Sequence, residues 1–180
     1  TAITGYFVPT LISNTVNVVI FPTAPVIAKP ADRCNAAFTL PAVTPVAGFN
    51  VEFRIDNNTA GTTGTWSTAP AIPTGAACYA VSARSVTNAA CGLTPAGTAG
   101  TGSCGSSNTQ NVVIFPAAPN IADPVDVCAG AFVLPSVPPV AGFDIYYSID
   151  GAAFVLNPSN ATPGCHTVQA RYGLAAACGS

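Results

Sequence analysis

Seven cysteines are the residues of this chain with the clearest capacity for chemistry. Thiols can form disulfide bridges, bind a metal or act as nucleophiles, and their spacing helps to decide among these uses. No C-x-x-C pair is present and the chain has a single histidine, so a zinc site is disfavoured. The spacing instead favours structural disulfide bridges, for which the candidates are Cys34, Cys78, Cys91, Cys104, Cys128 and Cys165.

The cysteines follow an internal repeat. Residues 17–56 return at residues 111–150, shifted by 94 positions, and 25 of these 40 residues are identical. A period of this length suits a small domain copied in tandem. The cysteines that match across the copies are Cys34 with Cys128, Cys78 with Cys165, and Cys91 with Cys178. Cys104 has no counterpart, so we expect Cys178 to be unpaired in this window.

Four cysteines per repeat allow three pairings, and the sequence alone does not choose among them. In a sandwich, the second and sixth strands start at the same end, and a Gly/Thr/Ser-rich loop precedes the last strand. This topology favours the pairs Cys34–Cys78, Cys128–Cys165 and Cys91–Cys104. Persistent bridges would require an oxidising compartment.

Other reactive groups have a simpler interpretation. His166 is replaced by Tyr79 in the other copy, which favours a structural ring over a base or ligand. The run from Asp56 to Asn58 is the nearest approach to a calcium loop, but the other copy lacks it. We expect Asp56 and Asp150 to cap turns instead. No catalytic or nucleotide-binding motif is present, so we predict neither an enzyme nor a cofactor.

Aromatic residues offer the remaining candidates for binding. Trp66 lies close to the position of Phe154 in the second copy, which favours a core ring over a sugar-stacking platform. Arg84 and Arg171 occupy equivalent outward positions, where salt pairing or solvation is expected. Two further sites, at residues 57–59 and 160–162, fit the pattern for N-glycosylation.

Short strands must position all these residues. Val51, Phe53 and Ile55 alternate with polar residues, as a half-buried antiparallel strand requires. Pro and Gly interrupt every stretch that would otherwise suit a helix. The strands of the first full copy are predicted at residues 26–27, 36–40, 51–55, between 65 and 72, and at 78–84 and 108–115. The fold class is therefore all-β: tandem Ig-like antiparallel β-sandwiches with intradomain disulfides.

This scheme divides the chain into three parts. Residues 1–23 would be the last strands of a preceding Ig-like domain, and residues 24–117 would form a complete domain, the first repeat. Residues 118–180, the second repeat, would form a domain that lacks its last strand. Both chain ends are then expected to fall inside domains.

Composition limits the partners. Only 7% of the residues are charged and the formal net charge is −2, so no basic surface for nucleic acid is expected. No apolar run of about 18 residues exists, which argues against membrane insertion. A weakly charged, cysteine-containing chain suits an extracellular protein better than a cytoplasmic one.

Several motifs resemble a known group of proteins. They are the run Asn-Val-Val-Ile-Phe-Pro (residues 17–22 and 111–116), a Pro-x-Asp-x-Cys step, Pro-Val-Ala-Gly-Phe (residues 45–49 and 139–143), the strand at residues 165–171, and Ala-Ala-Cys-Gly. Together they resemble tandem repeats of large surface proteins of the Bacteroidota, such as type IX-secreted gliding-motility adhesins. The resemblance implies Ig-like domains at the cell surface and a role in adhesion or filament formation.

We therefore expect a non-enzymatic structural repeat of a long extracellular adhesin or filament. Its partners would be neighbouring repeats of the same protein, and surface polysaccharide or other cells beyond them. One alternative is a carbohydrate-binding accessory module, for which Tyr146 is the best exposed ring. Another is a filament subunit, in which residues 18–21 of one chain fill the gap in a neighbour by strand addition.

Overall fold

The computed structural model describes residues 19–88, 105–128, 130–160 and 162–175. Over these residues the chain is all-β, as predicted, with six strands: β1 (Arg33–Cys34), β2 (Phe49–Asn57), β3 (Ala77–Thr87), β4 (Gln110–Phe115), β5 (Phe143–Ile149) and β6 (Val168–Leu174). No helix suited to crossing a bilayer occurs in the described part of the chain.

The strands form two sheets. The first has the order β1-β4-β3-β2, and the second pairs β5 with β6. β3 is antiparallel to both of its neighbours, whereas the short β1 runs parallel to β4. β4 is therefore an interior strand, held between β1 and β3.

The predicted alternation of side chains places the core on one face of the first sheet. Phe53 is 9% exposed, and Val51 and Ile55 pack beside it. In the neighbouring β3, Val81 and Ala83 are fully buried. The amphipathic pattern thus correctly identified β2 and the face that it buries.

A segment without regular strands covers this core. Ile27 and Phe38 are 2% and 3% exposed, and Leu40 and Val43 pack against them. The strands predicted at residues 26–27 and 36–40 are wrong, because neither forms a ladder. Between residues 65 and 72 there is one isolated bridge, from Ser67 to Phe53. Within the described residues, the first repeat thus has one sheet and an irregular cover.

The second sheet repeats the register of the first. Glu52 pairs with Arg84 in the first sheet, and their equivalents, Tyr146 and Arg171, pair in the second. The equivalence holds along both ladders: β5 follows β2 by 94 residues, and β6 follows β3 by 87. The seven-residue difference in length therefore lies entirely in the connection between the two strands.

Identical turns introduce β2 and β5. Gly48 and Gly142 have φ values of 84° and 82°, and the next residue donates its N–H to the carbonyl three residues earlier. This is the geometry of a type II turn, which favours glycine at its third position because φ is positive there. The repeated Val-Ala-Gly-Phe sequence thus encodes the point where each strand starts.

Candidate functional site

The structure does not contain the predicted Cys34–Cys78 bridge. Cys34 is free and exposed, whereas Cys78 is 2% exposed and disulfide-bonded to another residue. Cys34 pairs with Phe115 of β4, and Cys78 pairs with Val113 across the other side of the same strand. Two strand spacings, about 9–10 Å, lie between the strands that carry them, so their Cα atoms are at least that far apart. A disulfide spans at most about 7 Å, so the position of β4 excludes this pair.

The predicted Cys128–Cys165 bridge is also not formed, since both residues are free and exposed. Both residues line the same cavity. In the first repeat, β4 lies between their counterparts, Cys34 and Cys78. Cys91, Cys104 and Cys178 lie outside the described residues, so the roles assigned to them stay predictions.

The cavity that these two thiols line has a volume of about 660 Å³ and lies beside β6. Residues 124–128 form one wall and residues 162–168 the other. Phe132 and His166 form part of its lining, with their rings stacked at 6.3 Å. In the first repeat, Phe38 and Tyr79 make the equivalent contact at 6.1 Å. The ring of His166 thus makes the contact that Tyr79 makes in the first repeat, and its purely structural role stays a prediction.

His166 is held by hydrogen bonds at both ring nitrogens. Its Nδ1 lies 2.6 Å from Oδ2 of Asp150, and its Nε2 lies 2.8 Å from the carbonyl oxygen of Thr162. The bond to Asp150, followed by the bond to Thr162, raises the pKa of His166 above its ordinary value of 6.5. The same bond is the main reason why the pKa of Asp150 is lowered from 3.8. Once both nitrogens are protonated and donate to these oxygens, the imidazolium has no lone pair with which to act as a base.

We expect Asp150→Asn to lower the pKa of His166, because the largest cause of the upward shift is removed. A raised histidine pKa stabilises the fold below pH 6.5, and this contribution is lost as the pH rises through the folded value. The lowered aspartate pKa stabilises above pH 3.8, and its contribution is lost as the pH falls through the folded value. Both contributions are therefore present between these limits. NMR titration of the single histidine measures the shift directly.

The matched control is Asp56→Asn, which changes the equivalent residue of the first repeat. It should leave the titration of His166 unchanged. An Asp150→Asn protein with the same histidine pKa as the parent would contradict this account of the site.

Both aspartates accept a backbone N–H, as predicted, but the donors lie 8 and 17 residues further along the chain and not in the turn directly after the strand. Oδ1 of Asp56 accepts the N–H of Gly64 at 2.9 Å, and Oδ1 of Asp150 accepts the N–H of Thr167 at 2.8 Å. Asp150 and Gly151 both have positive φ, as the tight turn after β5 requires. No cluster of metal-binding side chains occurs among the described residues, whether at the calcium candidate Asp56–Asn58 or elsewhere.

Trp66 lies on the outer face of the first sheet and is half-buried, so the predicted core position is wrong. The guanidinium groups of Arg54 and Arg84 lie 5.0 and 4.6 Å from its ring centre. Arg84 also forms an ion pair with Glu52, at 2.8 Å, which confirms the salt pairing expected for it. Arginine thus occupies the ring that a sugar would need for stacking.

The outer face of the second sheet has a related arrangement. Arg171 lies 4.4 Å from the ring centre of Phe154. This contact confirms that Trp66 and Phe154 hold equivalent places beside equivalent arginines. Tyr146 is half-buried, and its ring covers Gly173 so closely that a Cβ there would lie 2.5 Å from it. The ring proposed for carbohydrate binding therefore packs against its own sheet.

Sequence reasoning missed a pair of aromatic contacts between successive units. Phe115, the last residue of β4, contacts Phe143, the first residue of β5, with ring centres 5.7 Å apart and planes at 54°. Phe21 contacts Phe49 at 5.5 Å and 55°. Both contacts join the same two repeat positions. A signal for these contacts was present in the sequence, because all four phenylalanines lie in the two motifs that recur without change.

No protein-family model, curated protein or solved structure matches this chain. The geometry and the internal repeat therefore provide the basis for a functional proposal.

Proposed function

We propose that this chain is a non-enzymatic structural repeat of a long extracellular adhesin or filament of the cell-surface, gliding-adhesin type. Its units would be Ig-like β-sandwiches, whose task would be to set reach and stiffness. The observation that carries the proposal is the repeated contact between aromatic rings at successive units. A protein that must hold tandem domains in a fixed relation needs such a contact at each junction.

The junction on the second repeat is a small hydrophobic cluster. Phe143 is 7% exposed and packs with the buried Val113 and with Phe115, Val140 and Tyr172. β4 thus contributes one face to the first repeat and its final ring to the second. Because one strand is packed into both, bending between the units would require this cluster to open.

The linker supports the same reading. Residues 116–119, Pro-Ala-Ala-Pro, follow β4 directly, and proline restricts the backbone of each residue beside it. A short stiff connection together with a packed junction favours an extended rod of domains. A weakly charged surface and cysteine-containing loops suit the extracellular setting that we propose.

We expect Phe115→Ala to loosen the junction. Small-angle X-ray scattering, extrapolated to zero concentration, should give the parent chain a narrow distribution of interatomic distances. The variant should give a broader distribution, because the ring that links the two sheets is gone and the units can bend relative to each other.

Phe154→Ala is the control, since it removes a ring of similar size from the outer face. It should scatter like the parent chain. A Phe115→Ala protein that is as narrowly distributed as the parent would overturn the stiffness role.

A further inference from the structure

The segment that enters the first repeat runs beside the strand that leaves it. Residues 24–35 lie along residues 105–115, and β1 within the first segment is parallel to β4 within the second. The partners keep a constant offset of 81 positions, which holds for the pairs Ala24–Gly105, Ile27–Asn108, Asp32–Val113 and Arg33–Ile114. The chain therefore enters the repeat at one end of this parallel pair and leaves it at the other.

Side chains supply hydrogen bonds where the entering backbone cannot form a continuous ladder. Pro25 and Pro30 have no N–H to donate. The amide of Asn108 instead bonds to both backbone groups of Ile27: its Oδ1 accepts the N–H at 3.0 Å, and its Nδ2 donates to the carbonyl oxygen at 3.1 Å. Nε2 of Gln110 donates to the same carbonyl oxygen at 3.2 Å. Ile27 is thus bonded as it would be in a strand.

The other end of the pair is held by a carboxylate and by the backbone. Oδ1 of Asp32 accepts the N–H of Val113 at 2.8 Å, and the N–H of Asn35 donates to the carbonyl oxygen of Phe115, also at 2.8 Å. We call these two bonds, together with those of Ile27 to the side chains of β4 and of the residues just before it, the parallel clamp. The clamp thus extends along the whole pair.

The clamp is packed against the core of the first repeat. Ile27 is 2% exposed, Ile114 is 0% exposed, and both belong to the same hydrophobic cluster. The buried Ser107 anchors Asn108 to β3, because its Oγ donates to the carbonyl oxygen of Asn108 and accepts the N–H of Ala83, both at 2.8 Å. Burial limits the water that could replace a clamp bond as it stretches.

Tension at the two ends of the repeat acts on all the clamp bonds at once. The entering chain is pulled away at the Ala24 end and the leaving chain at the Phe115 end, so the two segments are drawn past each other along their length. Hydrogen bonds between neighbouring strands lie across that direction. The repeat therefore cannot extend until several bonds break together. If both ends lay on the same side of the pair, the bonds would break one after another.

We propose that the parallel clamp sets the resistance of the first repeat to stretching along the chain. This inference rests on the proposed function, because a long adhesin or filament that holds a cell works under tension. The clamp adds a second mechanical property to the stiffness of the junctions, and different residues provide it. The repeat would keep its length under tension until the clamp opens.

The residues of the clamp recur in the sequence. A shift of 94 positions relates Ile27 to Ile121, Asp32 to Asp126, and the run Ser107-Asn108-Thr109 to Ser13-Asn14-Thr15. Each side of the clamp is therefore encoded more than once, as expected of a device that belongs to the repeated unit.

Single-molecule stretching of the full chain in two directions tests the clamp. Handles on azide-bearing residues at positions 23 and 117, which are both exposed, pull on opposite ends of the pair and act along the clamp. Handles at positions 36 and 117, also exposed, pull on neighbouring ends and open the same bonds one after another. The first direction should require the higher force at the same pulling rate. This comparison uses the parent chain and does not depend on the folding of a destabilised variant.

Asn108→Ala distinguishes the clamp from ordinary stability, because it removes both bonds from this side chain to Ile27. Asn108 is exposed, so the variant should fold. At constant force in the first direction, the repeat should unfold about fivefold faster or more. In the second direction the rate should stay nearly unchanged, because the bonds of Asn108 lie at the end that opens last.

Tyr79→Phe is the matched control, since it removes a hydrogen bond outside the clamp, from the Tyr79 hydroxyl to the carbonyl oxygen of Gly75. It should lower the urea midpoint of the repeat but leave the unfolding rate under tension unchanged in both directions.

Equal unfolding forces in the two directions would overturn the proposal. Equal acceleration by Asn108→Ala in both directions would do the same, because it would reduce the clamp to a contribution to stability. Scattering by the Phe115→Ala variant measures the junction and is independent of the clamp. A failed clamp and a failed stiffness role are therefore distinguishable.

Discussion

Replacing Ile114 with alanine is expected to lower the free energy of unfolding of the first repeat by about 2–5 kcal/mol. Ile114 is 0% exposed and lies in β4, which has a neighbouring strand on each side. Alanine would leave a cavity that rigid neighbours fill poorly. Trp66 is the single tryptophan of the chain, so its fluorescence during urea unfolding reports on this repeat.

The same substitution at Ile20 is the internal control. The two isoleucines have identical neighbours in sequence over residues 17–22 and 111–116, but Ile20 is 87% exposed. We expect Ile20→Ala to change the stability by no more than about 0.5 kcal/mol in dilute solution. Equal costs at the two positions would show that burial of β4 does not govern its energetics.

Five of the six strands were predictable because each carries a strong local signal. The alternation in β2 and β5 identified the buried face, and the repeated turns at Gly48 and Gly142 place the start of each. The segment at residues 36–40 carries a similar alternation around Phe38, yet it forms no ladder. The burial of alternate side chains does not require that a segment pairs with another strand. The alternation of apolar and polar residues in the sequence reports only on burial.

The cysteine pairing failed for a reason that no local pattern reveals. The prediction placed Cys34 and Cys78 at the same end of a sandwich, and it considered only the two strands that carry them. Their actual separation depends on β4, which is distant in sequence and enters between them. Strand order is set by long-range pairing, so alignment of the two copies matched the cysteines without showing which ones meet.

The candidate site was partly predictable. Comparison of the copies correctly predicted that the ring of His166 takes the place of the Tyr79 ring. Its bond to Asp150 was not foreseen, since it depends on how the turn after β5 directs a carboxylate. The cavity beside β6 was not foreseen, because its lining comes from two segments that are about 30 residues apart in sequence.

Replacing Phe38 with alanine is expected to cost the first repeat about 3–5 kcal/mol, whereas the equivalent Phe132→Ala should cost the second repeat clearly less. Phe38 is 3% exposed within a complete core, while Phe132 is half-buried and borders the cavity. A ring that already faces an opening has less contact to lose. Trp66 fluorescence measures the first cost, and hydrogen exchange of the β5 and β6 amides measures the second.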